Sequence, residues 1–292
     1  MGKFVIAYDI GTTGVKTCLF EIDKTIVLKA AESHGYGLYM VENGGAEQDF
    51  NEWWEAMAET TKEIFAKSDI KPDQIEGISF CSQMQGLVAL DKDCNVLRRP
   101  MSYMDQRAKE EIKKGIANGI QIAGANVFKL LPYLYYTGAV SCSVKDPIWK
   151  YKWIEAHEPE VFSKIYKIVD VKESIIAKMT GRIIMTQDSA FGQLLYDTRK
   201  GHEGWCKPVC KLVDVNPDHL AEIVKSTDVV GGLTAEAAKE LGLVPGIPVF
   251  GGGGDASLIG VGAGAVLPGE THIYSGTSGW VSTVVEKQTV DT

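Results

Sequence analysis

The chain has 292 residues, enough for one large domain or two ordinary ones. Hydrophobic residues make up 45% and supply a normal globular core, while no apolar run approaches the length of a membrane span. Thirty basic against 38 acidic residues leave −8 with no basic block, which argues against a partner gripped through nucleic-acid phosphates.

Strands are predicted over residues 3–10, 15–21 and 25–32, the last after a polar turn at Asp23-Lys24. Their alternation and β-branched content suit an antiparallel meander. Between the first two lies Asp9-Ile10-Gly11-Thr12-Thr13-Gly14, a glycine-and-hydroxyl turn. Glycine permits tight bends and close ligand approach, and hydroxyls beside exposed N–H groups form a concave donor surface suited to phosphate. Asp49 and Glu52 have the spacing of a capping box and open a helix running to Ala66, with Trp53, Trp54, Met57, Thr61, Ile64 and Phe65 on one stripe. Pro72 closes it, and residues 74–82 read as a fourth strand. Strand-strand-strand-helix-strand resembles the opening of the ribonuclease H-like α/β fold, a mixed sheet flanked by helices, whose duplicated form underlies sugar kinases, actin and the Hsp70 ATPase.

Further on, residues 88–97 read as a hairpin around 91–95 and residues 106–114 as a charged surface helix. Helices are predicted at 149–156 and 172–179, where Trp149 and Trp153 are expected to pack. Tyr133-Leu134-Tyr135-Tyr136 is expected to be structural, with a place along a sugar cleft as the alternative. Residues 235–241 form a short helix ended by Gly242, and Pro245-Gly246-Ile247-Pro248 is a turn. A strand and a glycine-rich loop follow, so the domain boundary is expected near Pro248, dividing residues 1–248 from 249–292. Near the end a second glycine-and-hydroxyl turn, Ser275-Gly276-Thr277-Ser278-Gly279, lies between apolar runs. The six cysteines are scattered, and Met1-Gly2-Lys3 runs straight into a strand pattern without a secretory segment, so reduced thiols and a cytoplasmic location are expected. His202, Cys206, Cys210 and His219 can be drawn as a zinc site, but their spacing matches no common ligand pattern and Pro208 interrupts it; buried or half-buried thiols are the expectation.

Six pieces together resemble the FGGY family of carbohydrate kinases, most closely its xylulose kinases. In order they are Asp9-Ile10-Gly11-Thr12-Thr13-Gly14-Val15-Lys16, Glu47-Gln48-Asp49 ahead of Trp53-Trp54, Gln83-Met84-Gln85-Gly86, Asp105-Gln106-Arg107, Gly251-Gly252-Gly253-Gly254-Asp255-Ala256, and Ser275-Gly276-Thr277-Ser278-Gly279. Gln85 departs from the histidine usual in xylulose kinases, and Ala256 from a frequent asparagine; both positions face the sugar in the family, which leaves substrate identity open. Family members continue through a second lobe with the adenosine pocket, of which only the opening hairpin is recognisable here. The expectation is therefore a truncated second lobe, retained sugar affinity, and weak or absent ATP binding by this chain alone.

The resemblance implies ATP-dependent phosphorylation of a small ketose, with D-xylulose the best single substrate, Mg2+ as the ion, and a homodimer as a possible assembly. Other ketoses or polyols, or a non-catalytic sugar-binding fragment, are the alternatives. By resemblance Asp255 is the catalytic base and a sugar contact; as a bare sequence feature it is equally an Asp in a turn. Asp9 is expected to orient a Mg2+ hydrate, or to cap the turn through an Asx hydrogen bond, roles that can coexist. Gly11, Thr12, Thr13 and Lys16, with Gly276, Thr277 and Ser278 from the second turn, are the expected phosphate contacts. Gln83, Met84, Gln85, Asp105 and Arg107 are the expected sugar contacts, Gln85 reading a hydroxyl through its amide rather than exchanging a proton. Asp188 resembles a family segment near the cleft and carries no assignment.

Overall fold

The computed structural model describes residues 3–276 and 279–287. Three antiparallel strands come first, β1 (Lys3–Ile10), β2 (Gly14–Ile22) and β3 (Ile26–Gly35). The third runs three residues beyond the expected end because Ser33, His34 and Gly35 pair with Lys16, Val15 and Gly14. Helix α1 (Phe50–Ala66) follows, with Trp53 and Met57 fully buried and Trp54 nearly so. Asp49 caps it through Asn51 N at 2.9 Å. The other half of the expected capping box is absent: Glu52 turns away to accept from Gly37 N at 2.8 Å and from the Tyr39 hydroxyl. The next strand, β4 (Ile75–Ser82), lies parallel to β1.

Two later helices matter for the site, α2 (Pro147–His157) and α3 (Val171–Thr180). The expected charged helix begins only at Lys109, because Asp105 Oδ1 accepts Arg107 N at 3.1 Å and holds residues 105–107 in a turn. The expected hairpin at 88–97 reduces to a short strand, Val88–Leu90, facing a turn organised by the Asp91 carboxylate, which accepts from Asp93 N and Asn95 N. Strand β5 (Val229–Gly232), helix α4 (Ala235–Leu241), strands β6 (Pro248–Phe250) and β7 (Gly253–Gly254), and helix α5 (Asp255–Gly262) complete the main body. A separate hairpin, β8 (Thr271–Ser275) with β9 (Gly279–Thr283), ends the described chain.

The main sheet has the order β5-β6-β4-β1-β2-β3, with β7 also paired to β4. It is mixed: β1, β4, β6 and β7 are linked by parallel pairings and the outer strands are antiparallel. This is the actin, Hsp70 and sugar-kinase version of the ribonuclease H-like fold. Strands β6 and β7, beyond the boundary expected at Pro248, extend the same sheet. The core joins Ile6, Tyr8 and Ile10 to Trp53, Met57 and Ile64 of α1 and to Ile175, Ile176 and Met179 of α3. A second cluster gathers around Trp149 and Tyr151 of α2, with Tyr133, Cys206 and Cys210. Among the described residues no helix is long and apolar enough to cross a membrane.

Candidate active site

Open α/β sheets bind ligands beyond the carboxyl ends of their parallel strands. Here β1, β4 and β7 end together: Cys81 of β4 is the register partner of Asp9 on one side and Gly253 on the other. An open cavity of about 990 Å3 lies over these ends, lined by Asp9, Thr12, Thr13 and Lys16, by Gln83, Met84 and Gln85, and by Asp188 and Asp255.

The β1–β2 turn is held from behind by its carbonyls. Gly11 N donates to Gly14 O at 3.0 Å, closing the bend. The Tyr36 hydroxyl (2.6 Å) and Gln83 Nε2 (3.0 Å) both donate to Gly11 O, Gln48 Nε2 donates to Thr12 O at 2.7 Å, and Tyr36 N donates to Thr13 O at 3.1 Å. Carbonyls committed to the protein leave the opposite face of the turn to N–H and hydroxyl groups, which suits an anion. Asp9 accepts from Lys16 at 3.4 Å and lies against the Cys81 thiol, but accepts from no backbone N–H among the described residues, so the Asx cap is not formed. A carboxylate that faces a cavity without backbone donors fits Mg2+, which needs one or two such ligands and keeps its waters.

Asp255 opens α5 from the end of β7 and accepts Ala256 N at 2.8 Å. Burial first, and then the charge of Asp9, push its carboxyl above the ordinary range. Cys81 lies between the two carboxylates, and its thiol is pushed up to about 12 by burial, with Asp9 and Asp255 adding to the effect. It is a neutral spacer there, and a position the sequence reading did not single out. The glycine run has steric causes. Gly252 sits at φ +65, where a Cβ would run into the Phe80 carbonyl, and a Cβ on Gly254 would collide with the Met84 sulfur.

The facing loop turns at Gln85, which has φ 60. Its N–H donates to Asp170 Oδ2 at 2.8 Å and the next, Gly86 N, to Asp170 Oδ1 at 2.9 Å. From the other side Lys150 Nζ donates to Gln85 O at 2.6 Å. Lys150 is fully buried, which lowers its ammonium to about 8. Burial, reinforced by Glu173, raises the Asp170 carboxyl. Neither residue was visible from the sequence as a support of this loop. Tyr103, Phe191 and Leu194 also line the cavity.

Other expected site residues lie elsewhere. Asp105 is fully buried, accepting Ala46 N at 2.9 Å and the Arg107 guanidinium, and neither residue lines the cavity. Arg107 also reaches Glu47 Oε1 at 2.7 Å and stacks over Trp153 at 4.3 Å. The pair therefore anchors the segment that carries Gln48. Gln83 lines the cavity, but its amide Nε2 is spent on Gly11 O and on Gln48 Oε1 at 2.9 Å. Gly276 is described at the β8–β9 tip but is outside the cavity lining, and Thr277 and Ser278 lie outside the described residues. Tyr133 is buried and Arg199 stacks over Tyr135 and Tyr136, all away from the cavity. Of the cysteines and histidines drawn as a zinc site, Cys206 and Cys210 are buried free thiols and His219 hydrogen-bonds Tyr151; the described residues hold no metal-competent group of three.

Residues 4–262 match the model of the FGGY family of carbohydrate kinases, N-terminal domain. The chain is 30% identical to a xylulose kinase of Bacillus subtilis over 291 residues, covering 99% of this chain and 55% of that protein. It is 29% identical to a gluconokinase of the same species over 295 residues, covering 100% and 54%. A ligand-bound xylulose kinase from Lactobacillus acidophilus superposes with a TM-score of 0.85 at 27% identity, covering 99% of this chain and 56% of that one. The chain thus spans about half the length of the relatives it matches. With its sheet, its paired carboxylates and its ordered motifs, the chain belongs to the FGGY family of carbohydrate kinases.

Proposed function

We propose that the protein forms the sugar-binding and first phosphate-binding part of an ATP-dependent kinase acting on a small ketose, with D-xylulose as the leading substrate. The observation that carries this reading is the shared register at Cys81, which sets Asp9 and the phosphate turn two strands from the Asp255 end of the sheet. Two strand spacings are about 10 Å, room for a substrate hydroxyl and a phosphoryl group in between. Asp255 takes the hydroxyl proton as that oxygen forms its bond to the γ-phosphorus. The bond from phosphorus to the bridging oxygen breaks, and ADP leaves with the electron pair. The raised pKa of Asp255 makes it a better proton acceptor than an ordinary carboxylate. Asp9 is the residue to hold Mg2+ through water, and the ion supplies charge neutralisation on the phosphates. Asp105 and Arg107 act on this site indirectly, by fixing Glu47 and Gln48 behind the phosphate turn.

The chemistry of the wall favours a ketose over an aldonate such as gluconate. The cationic or protonatable side chains on the lining are Lys16 and His34, both on the strands beside the phosphate turn, and both carry acidic partners. The rest of the lining includes Gln85, Tyr103, Phe191 and Leu194 with the Asp188 and Asp255 carboxylates. A sugar carboxylate would meet a like charge there with no cation among the described lining residues to offset it. The six free cysteines are consistent with work in a reducing cytoplasm.

Amide spectroscopy of the protein tests the reading. D-Xylulose is expected to shift Gln85, Gly86 and Gly254, and ATP with Mg2+, weakly held by this part of the site, to shift Thr12 and Thr13 only at high concentration. A ketose that moves none of the first three resonances overturns it.

A further inference from the structure

Charged side chains lie buried directly behind the two ligand-facing loops. Lys172 and Glu173, in the first turn of α3, are both fully buried and 2.7 Å apart, and Glu173 Oε2 has no hydrogen-bond partner among the described residues. Lys172 Nζ also lies 3.6 Å from Asp188 Oδ1. That same oxygen accepts Thr186 Oγ1 at 2.6 Å and Ser226 Oγ at 3.3 Å. The other, Oδ2, accepts Gly254 N at 2.5 Å, one residue before Asp255. Burial opposes ionisation of Asp188, yet Lys172 and the donors around it hold its carboxyl below the ordinary range.

A buried ion cluster is weak evidence for stability, since apolar residues of similar volume commonly serve as well or better. Its location is the informative part. Asp170, the N-cap of α3, carries Gln85 N and Gly86 N; two residues later Lys172 carries Asp188, and Asp188 carries Gly254 N. The start of one helix therefore grips the loop beside the sugar and the loop that presents Asp255. The same two loops touch directly where Met84 packs on Gly254.

We propose that Asp188 and Lys172 are positioning residues: Asp188 fixes the Gly254 N–H and so aims the Asp255 carboxyl, and Lys172 ties that joint to the Asp170 cradle under Gln85. The importance of the aim rests on the reading of Asp255 as the base, but the joint itself is testable without it.

Amide hydrogen exchange on the unliganded protein reads the joint. Asp188→Ala is expected to speed exchange at Gly254 by at least about tenfold, leaving amides of the β1–β2 pairing such as Leu19 unchanged, with Asp188→Asn partly restoring protection. Lys172→Met combined with Glu173→Gln, which removes the buried pair together, is expected to speed Gly254, Gln85 and Gly86 alike. A purely structural role would slow or speed the whole sheet without this selectivity. If Asp188→Ala loses protection throughout, Asp188→Leu, which fills the space but likewise offers no acceptor, is read in its place and the same selectivity decides. Unchanged exchange at Gly254 in folded Asp188→Ala or Asp188→Leu overturns the role of Asp188. Acceleration confined to Gly254 in the Lys172/Glu173 variant overturns the tie to the sugar loop. Failure of the wild type to bind a ketose would overturn the kinase reading instead, and would leave these exchange results standing.

Discussion

Gln83 donates its side-chain amide to the carbonyl of Gly11 at 3.0 Å, so the loop that carries Gln85 also holds the Gly11–Gly14 turn in shape. Gln48, bonded to both Gln83 and Thr12 O, completes the brace. Replacing Gln83 with Leu is therefore expected to weaken ATP more than sugar, raising the KM for ATP roughly 2- to 10-fold, the value of one neutral hydrogen bond. Gln48→Ala should behave alike. A Gln83 that served the sugar alone would show the reverse pattern in the two titrations.

Asp255→Asn is expected to slow phosphoryl transfer by roughly 10²–10⁴-fold, the usual contribution of a placed general base. It should also stabilise the fold near neutral pH. The folded-state pKa of Asp255 lies above the unfolded value, so its favourable contribution is full at low pH. That contribution is lost as pH rises through the folded pKa. An amide escapes this loss. Thermal melts should show a higher Tm for the variant at pH 7, with the gain shrinking as pH falls through the raised folded pKa and gone below the ordinary aspartate range.

Asp9 contributes to the same shift after burial, through its charge. Asp9→Asn should thus lower the titration midpoint of the Asp255 carboxyl, followed by carbon NMR in the absence of metal. A midpoint that stays in place would mean that burial alone sets it.

Gln85→Ala should raise the sugar KM by about 5- to 10-fold with kcat little changed, because the amide recognises a hydroxyl in ground and transition state alike. Collapse of kcat at constant KM would contradict that role.

Arg107→Met leaves the buried Asp105 carboxylate without its cation, and Glu47 with Arg98 alone. Loss of one partner from such a group costs about 3–5 kcal/mol. Urea unfolding should register it, and Arg107→Lys should rescue little, since a compact ammonium cannot reproduce the forked contacts or the stacking on Trp153.

Much of the frame was legible in the sequence because it rests on local rules. The Gly11–Gly14 bend, the amphipathic stripe of α1 and the strands β1, β2 and β4 fall within a residue or two of their expected bounds. The cavity likewise gathers Asp9, Thr12, Thr13, Gln83, Gln85 and Asp255 from separate motifs. What escaped depends on distant partners. Asp105 and Arg107 carry a motif that suggests the sugar, but their contacts are Ala46 and Glu47, nearly sixty residues earlier. Lys150, Asp170, Lys172 and Glu173 were not singled out, and nothing in their spacing signals complete burial under two loops. Asp188 had the right neighbourhood without a role, because its partner is a backbone N–H sixty-six residues away.

The central claim, an uncharged ketose held between Gln85 and Asp255, is tested most directly by calorimetry with D-xylulose and D-gluconate as alternative titrants. The account predicts saturable binding of the ketose, weakened in Gln85→Ala, and no binding of gluconate. Saturable gluconate binding in the absence of any ketose binding would contradict it.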